Sequence, residues 1–69
     1  MKYDESHGSP YDRGSADSYY QRARSPHYYP QGSYVGERIT DLTLEQLEAY
    51  NAGFNDNEAT QNFKDYGQE

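Results

Sequence analysis

Cysteine and tryptophan are absent from this 69-residue chain, and methionine occurs once. Without cysteine there is neither a disulfide to restrain the unfolded chain nor a thiolate to hold zinc, and the redox compartment stays open. Branched aliphatic residues are nearly as scarce: Val35, Ile39, Leu42, Leu44 and Leu47 are the whole supply. No apolar run approaches the ~18 residues of a membrane span, and the opening MKYDESHGSP lacks the hydrophobic stretch of a secretion signal. A soluble cytoplasmic protein with no membrane contact is therefore expected.

A chain of this size buries only ~60% of the surface its unfolded form exposes. The five aliphatics, even with Phe54 and Phe63, are too few to offset the conformational entropy of ordering it. What the chain has instead is nine tyrosines. Each ring can cover a large apolar area while its hydroxyl stays hydrogen-bonded or wet at the rim. Either these rings supply the missing core or much of the N-terminal half is mobile.

Charge is placed unevenly. Up to Tyr34 the cations Lys2, Arg13, Arg22 and Arg24 balance Asp4, Glu5, Asp12 and Asp17, so the whole formal charge of -6 falls in the second half. Nucleic-acid binding draws on surplus Lys and Arg on one face, and that surplus is missing, so direct contact with nucleic acid is disfavoured. The acidic residues Glu45, Glu48, Asp56, Glu58 and Asp65 read as a solvated face, as a surface for a basic protein patch, or as a mimic of DNA.

Residues 1–8 show no periodicity and read as a flexible terminus. Ser9 and Pro10 then signal a helix start, with Ser9 as N-cap, Pro10 at the first helical position and Asp12 near the positive end. A helix over about 10–22 is expected, limited by Pro26. Residues 25–41, with the run SPHYYPQGSY, read as an extended strap rich in tyrosine and proline. In DLTLEQLEAYNAGF, Thr43 and Gln46 form a capping box and Leu42 and Leu47 a hydrophobic staple. Leu44, Leu47, Tyr50 and Phe54 then make an apolar stripe, giving a helix over about 43–54. At ~100° per residue Ala59, Phe63 and Tyr66 leave that stripe. Together with Gly53 this suggests a break, with Asp56 or Asn57 capping a third helix over about 57–65 that ends near Gly67, before a tail at 68–69. The fold class is thus mainly α: one small domain over 9–67, with two to three short helices, a strap and a flexible N-terminus.

One internal echo stands out. Tyr11-x-x-Gly14-x-x-Asp17 and Tyr50-x-x-Gly53-x-x-Asp56 share a spacing that puts tyrosine and glycine on one helical face, where the glycine admits a neighbouring backbone or ring. Two readings are open: the stretches pack against each other, or a short repeat in a biased composition is coincidence.

Catalytic, metal and cofactor chemistry is not signalled. His7 and His27 fit no common zinc spacing, and NDNEATQNFKD lacks the alternating ligands and central glycine of a calcium loop. Arg22-x-Arg24-Ser25-Pro26 reads as a polar turn, no glycine loop cradles phosphate, and so small a core leaves little room for a dry catalytic cleft. No catalytic residue, metal ligand or cofactor is assigned.

From Tyr11 to Gly67, YDRGSADSYYQRARSPHYYP, DLTLEQLEAYNAGFNDNE and the closing KDYG resemble small proteins encoded by tailed bacteriophages. That resemblance implies an accessory protein of the host cytoplasm without established chemistry. More distantly, Arg13-Gly14, Pro26 and Ala49-Tyr50-Asn-Ala-Gly53 are similar to ribosome modulation factor, a two-helix ribosome-binding family. Those relatives are strongly basic, and this chain is not. The expected function is non-enzymatic binding and modulation of a host or phage protein, with Tyr19, Tyr20, Arg22, Arg24, Tyr28 and Tyr29 as the adhesive patch. A ribosome- or nucleic-acid-associated regulator and a DNA-mimic inhibitor are the alternatives.

Overall fold

Both helices begin where the caps place them. In the computed structural model, which describes residues 3–65, the elements are α1 (Pro10–Tyr19) and α2 (Leu44–Thr60). Ser9 Oγ accepts the Asp12 amide at 3.3 Å, and the Asp12 carboxylate in turn accepts the Gly8 amide at 2.9 Å. At α2 the reciprocal box is complete: Thr43 Oγ1 accepts from the Gln46 amide at 3.1 Å, and the Thr43 amide donates to Gln46 Oε1 at 2.9 Å.

The helix ends differ from expectation. α1 stops at Tyr19 rather than Arg22 because Gln21 turns into the left-handed region at φ 59°. There the Gln21 amide donates to the Ser18 carbonyl and the Arg22 amide to the Asp17 carbonyl, a Schellman closure with glutamine in the usual glycine place. α2 does not break at Gly53. It runs on through Asp56 and Asn57, neither of which is a cap, and closes at Gln61 with φ 57°. The separate helix over 57–65 is therefore absent, and Phe63 lies in irregular chain. Apolar phase does not mark the end of α2, because its buried face is Tyr50, Gly53 and Asn57 rather than an apolar continuation of the stripe. The anticipated end near Tyr66 and Gly67, the tail at 68–69 and residues 1–2 lie outside the described residues.

α1 and α2 cross at their glycines. A Cβ on Gly14 would collide with the Tyr50 carbonyl oxygen and stand 3.0 Å from the Phe54 nitrogen; a Cβ on Gly53 would collide with the Tyr11 carbonyl and stand 3.1 Å from the Ser15 nitrogen. Each glycine thus presses on the same hydrogen-bonded turn of the opposite helix. The flanking residues repeat the exchange: the Tyr11 hydroxyl donates to Asp56 at 2.5 Å, and the Tyr50 hydroxyl donates to Asp17. The echoed motif is an approximate twofold in which tyrosine, glycine and aspartate of one helix meet aspartate, glycine and tyrosine of the other.

The helices run in the same sense. Pro10 at the start of α1 shares a recess with Gln46 and Ala49, while Ser18 near its end accepts from Asn57 Nδ2 at 2.9 Å and donates to Glu58 at 2.7 Å. A parallel pair needs a return connection, and residues 20–43 supply it. The Tyr28–Ile39 bridge, with amide–carbonyl bonds of 3.0 and 2.9 Å, pins the two arms of this strap together. Residues 3–8, expected to be a flexible end, form a turn to which the strap is fastened: the Tyr29 amide donates to the Gly8 carbonyl at 2.8 Å.

The core is not the expected leucine rod. Leu44 is 86% exposed, Val35 and Phe63 are exposed, and Ile39, Leu42, Leu47 and Phe54 are only half-buried. The buried hydrophobic residues are Tyr29 and Tyr50, the latter at 0% exposure. Among the described residues no helix is long and apolar enough to cross a membrane.

Candidate functional site

Around Tyr50 the interior is polar and ionic. Arg13, Asp17, Ser18, His27 and Asn57 are all buried with it. Arg13 and Asp17 are one turn apart on the face of α1 that carries Gly14, so the residues that let the helices cross also carry charge inward. His27 arrives from the strap, held between Pro26 and the Tyr28 bridge.

Bonding in this interior fixes protonation. His27 Nδ1 stands 2.6 Å from the Ser25 carbonyl, which can only accept, while Arg13 Nε, which can only donate, points at His27 Nε2 from 3.1 Å. The imidazole is therefore the neutral Nδ1–H tautomer. Burial pushes its pKa down from 6.5, and the nearby Arg38 and Arg13 charges act in the same direction. Tyr50 Oη accepts from the Ser25 amide at 2.9 Å and its hydroxyl donates to Asp17; burial first, then that bond, raises its pKa to about 12. Tyr11 is raised to about 12 as well, chiefly by its bond to Asp56.

Above this interior opens a cleft of 190 Å³ whose walls include Arg13, Asp17, Arg22, His27, Tyr34 and Arg38. Tyr34 is the keystone. Its hydroxyl accepts from Arg13 at 3.1 Å and from Arg22 at 3.3 Å, which lowers its pKa below 10.0. The Arg13 guanidinium also lies over the Tyr34 ring, 4.8 Å from its centroid. Arg38 closes the far wall, donating to Ser25 Oγ at 2.8 Å.

The residues singled out as an adhesive patch fall into two groups. Tyr20 and Arg22 are exposed and meet each other, the guanidinium 5.0 Å from the ring centroid, with half-buried Tyr19 set edge-on to Tyr20. Tyr29 is buried against His27, Tyr28 is half-buried in the strap bridge, and Arg24 clamps α2 by donating to Asn51 at 2.9 Å and Asn55 at 2.5 Å while covering Phe54. The acidic set divides too. Glu45 and Glu48 line the recess beside Tyr3 and Pro10, Asp56 and Glu58 accept hydroxyls from α1, and Asp65 is exposed in the irregular chain after α2.

Residue-by-residue reading passed over Ser33, Tyr34, Val35 and Arg38. The signal that could have found Ser33, Tyr34 and Val35 is the tip GSYVG, where an aromatic–aliphatic pair sits between glycines; nothing in the local sequence marks Arg38. Among the described residues no cluster of three or more His, Asp or Glu is placed to hold a metal ion. Comparison with protein-family models, curated proteins and solved structures returned no match.

Proposed function

We propose that this is a non-enzymatic binding module that acts by occupying a protein partner through the strap-side surface around Tyr20, Arg22, Tyr34 and Val35. The carrying observation is that Tyr34 and Val35 remain 63% and 51% exposed beside the Arg22–Tyr20 pair, in a chain otherwise short of apolar side chains. Aromatic residues and arginine are the side chains most often found at binding hot spots. The groups resembling a catalytic set are engaged elsewhere: both ring nitrogens of His27 are bonded, and Tyr50 and Asp17 are bonded to each other. That leaves the His27 imidazole without a free lone pair to act as a general base at the cleft.

The sequence resemblance to tailed-phage proteins suggests the setting, a host-cytoplasmic accessory protein. A nucleic-acid partner is less favoured by the net charge of -6 and by Asp17 on the cleft wall. DNA mimicry is less favoured because Asp56 and Glu58 are bonded to α1 rather than ranked on a free ridge.

The test is affinity capture from host lysate by the folded chain, with nuclease and raised salt, beside a Tyr20→Ser, Val35→Ser variant. A stoichiometric protein that survives nuclease and is lost with the variant supports the reading. Loss on nuclease alone, or unchanged capture by the variant, overturns it.

A further inference from the structure

We propose that the cleft between Arg13, Arg22 and Arg38 is a binding site for a phosphate-class oxyanion. The starting point is an uncompensated charge. Arg13 is 4% exposed, and its side chain donates to His27, Ser33 and Tyr34 at 3.1 to 3.2 Å, all neutral acceptors. Among the described residues no carboxylate lies within ion-pair distance of it. A guanidinium is permanently charged, and removing it from water without a counter-charge is costly. It also has five N–H donors, so two remain beyond those three bonds.

The neighbourhood repeats the demand. Among the described residues Arg38 donates only to the Ser25 hydroxyl, and Arg22 shares the Tyr34 hydroxyl with Arg13 while lying 3.8 Å from Asp17. Asp17 is the one carboxylate on the cleft wall, and one of its oxygens is taken by the Tyr50 hydroxyl on the core side. Asp17 lies against Arg22, whereas Arg13 and Arg38 have no carboxylate at ion-pair distance among the described residues, which leaves two positive charges facing a cavity of 190 Å³. The lowered pKa of the Tyr34 phenol reports the same positive potential at the cleft. A planar monocarboxylate would cancel only half of this charge. A phosphate monoester carries close to two negative charges and several acceptor oxygens, and the guanidinium fork matches it bidentately.

This inference shares Arg22 and Tyr34 with the proposed partner surface but is tested separately, with small anions on the purified chain. At constant ionic strength, inorganic phosphate, glycerol phosphate, and a phosphoserine peptide with its unphosphorylated form are titrated against the full chain, reading the Arg side-chain Nε–Hε resonances. Saturable shifts at Arg13, Arg22 and Arg38 are expected with phosphate and not with chloride. Arg38→Gln, a change at an exposed residue, should weaken binding at least tenfold, whereas Lys64→Gln should leave it unchanged. Equal affinity for phosphate and phosphopeptide would uphold the site and assign it to free phosphate compounds; at least tenfold tighter peptide binding would uphold it and assign it to a protein-borne phosphate. Non-saturable shifts, shifts shared with chloride, or binding unaltered in Arg38→Gln would overturn it.

Discussion

Adding a methyl group to a helical glycine ordinarily favours the helix by about 1 kcal/mol. At Gly14 and Gly53 that methyl would enter the backbone of the opposite helix. Overpacking should reverse the sign, so Gly14→Ala and Gly53→Ala are each expected to lower stability by about 2–3 kcal/mol in urea titrations. The tyrosines of the same motif separate by burial. Tyr50→Phe strands the Ser25 amide and takes a donor from buried Asp17, an expected loss of about 1–3 kcal/mol. Tyr11→Phe removes a bond at the surface and should cost under about 1 kcal/mol. Titration gives an independent readout. Unfolded tyrosine ionises near 10.0, while Tyr11 and Tyr50 hold their protons to about 12 in the fold, so the unfolded state releases protons first. Stability conferred by these groups is whole below pH 10 and is expected to drain away as pH rises from 10 toward 12, measurable as a falling urea midpoint alongside tyrosinate absorbance. His27 acts at the other end: its folded pKa lies below 6.5, the unfolded state binds the extra proton, and stability should decline as pH falls through and below 6.5. The seam was legible as the Tyr-x-x-Gly-x-x-Asp echo. What the spacing did not disclose was that one tyrosine would be fully buried and its counterpart left near solvent, because that depends on which side the strap covers.

At the scale of elements, the starts of both helices were readable and their ends were not. N-caps are local: Ser9 and Thr43 each bond an amide three residues on, so identity and spacing suffice. The ends are set by Gln21 and Gln61 in the left-handed region, a conformation glutamine adopts only when neighbouring bonds hold it there. At Gln21 the side chain donates to the Lys64 carbonyl, a tertiary contact invisible to local sequence. Gln61 is the cleaner test, since no hydrogen bond among the described residues ties its side chain. Gln61→Gly should raise stability by about 1 kcal/mol, read as a higher thermal midpoint, because glycine adopts that conformation without a Cβ penalty. The expected leucine stripe failed for a related reason. It ranked residues by hydropathy, whereas α2 buries the face that permits close approach, leaving Leu44 86% exposed just after the N-cap.

For the molecule as a whole, the shortage of aliphatic residues is met by a core in which nearly every buried group is polar yet partnered. Among the described residues no buried side-chain nitrogen or oxygen lacks a hydrogen bond. Such an interior is directional: a half-formed network leaves buried donors and acceptors unsatisfied, which is worse than none. The contacts also interlock distant parts of the chain. His27 of the strap meets Arg13 of α1, the Ser25 amide of the strap meets Tyr50 of α2, and Arg24 fastens the strap to Asn51 and Asn55. Losing the strap would expose Arg13, Asp17 and the Tyr50 hydroxyl together, so helix pairing and strap docking should fail in one step. Far-ultraviolet ellipticity, which follows α1 and α2, and near-ultraviolet ellipticity, which follows the tyrosines, should therefore give superimposable urea transitions. The Tyr29 amide, bonded to the Gly8 carbonyl, and the Ile39 amide, bonded across the strap bridge, should then exchange with the same opening free energy as the helical amides around Gly53. Strap amides exchanging freely while α2 stays protected would show the rings to be ornament on an independent helix. Coincident protection would establish that tyrosine hydroxyls, arginine and histidine do here what leucine and isoleucine do in richer cores.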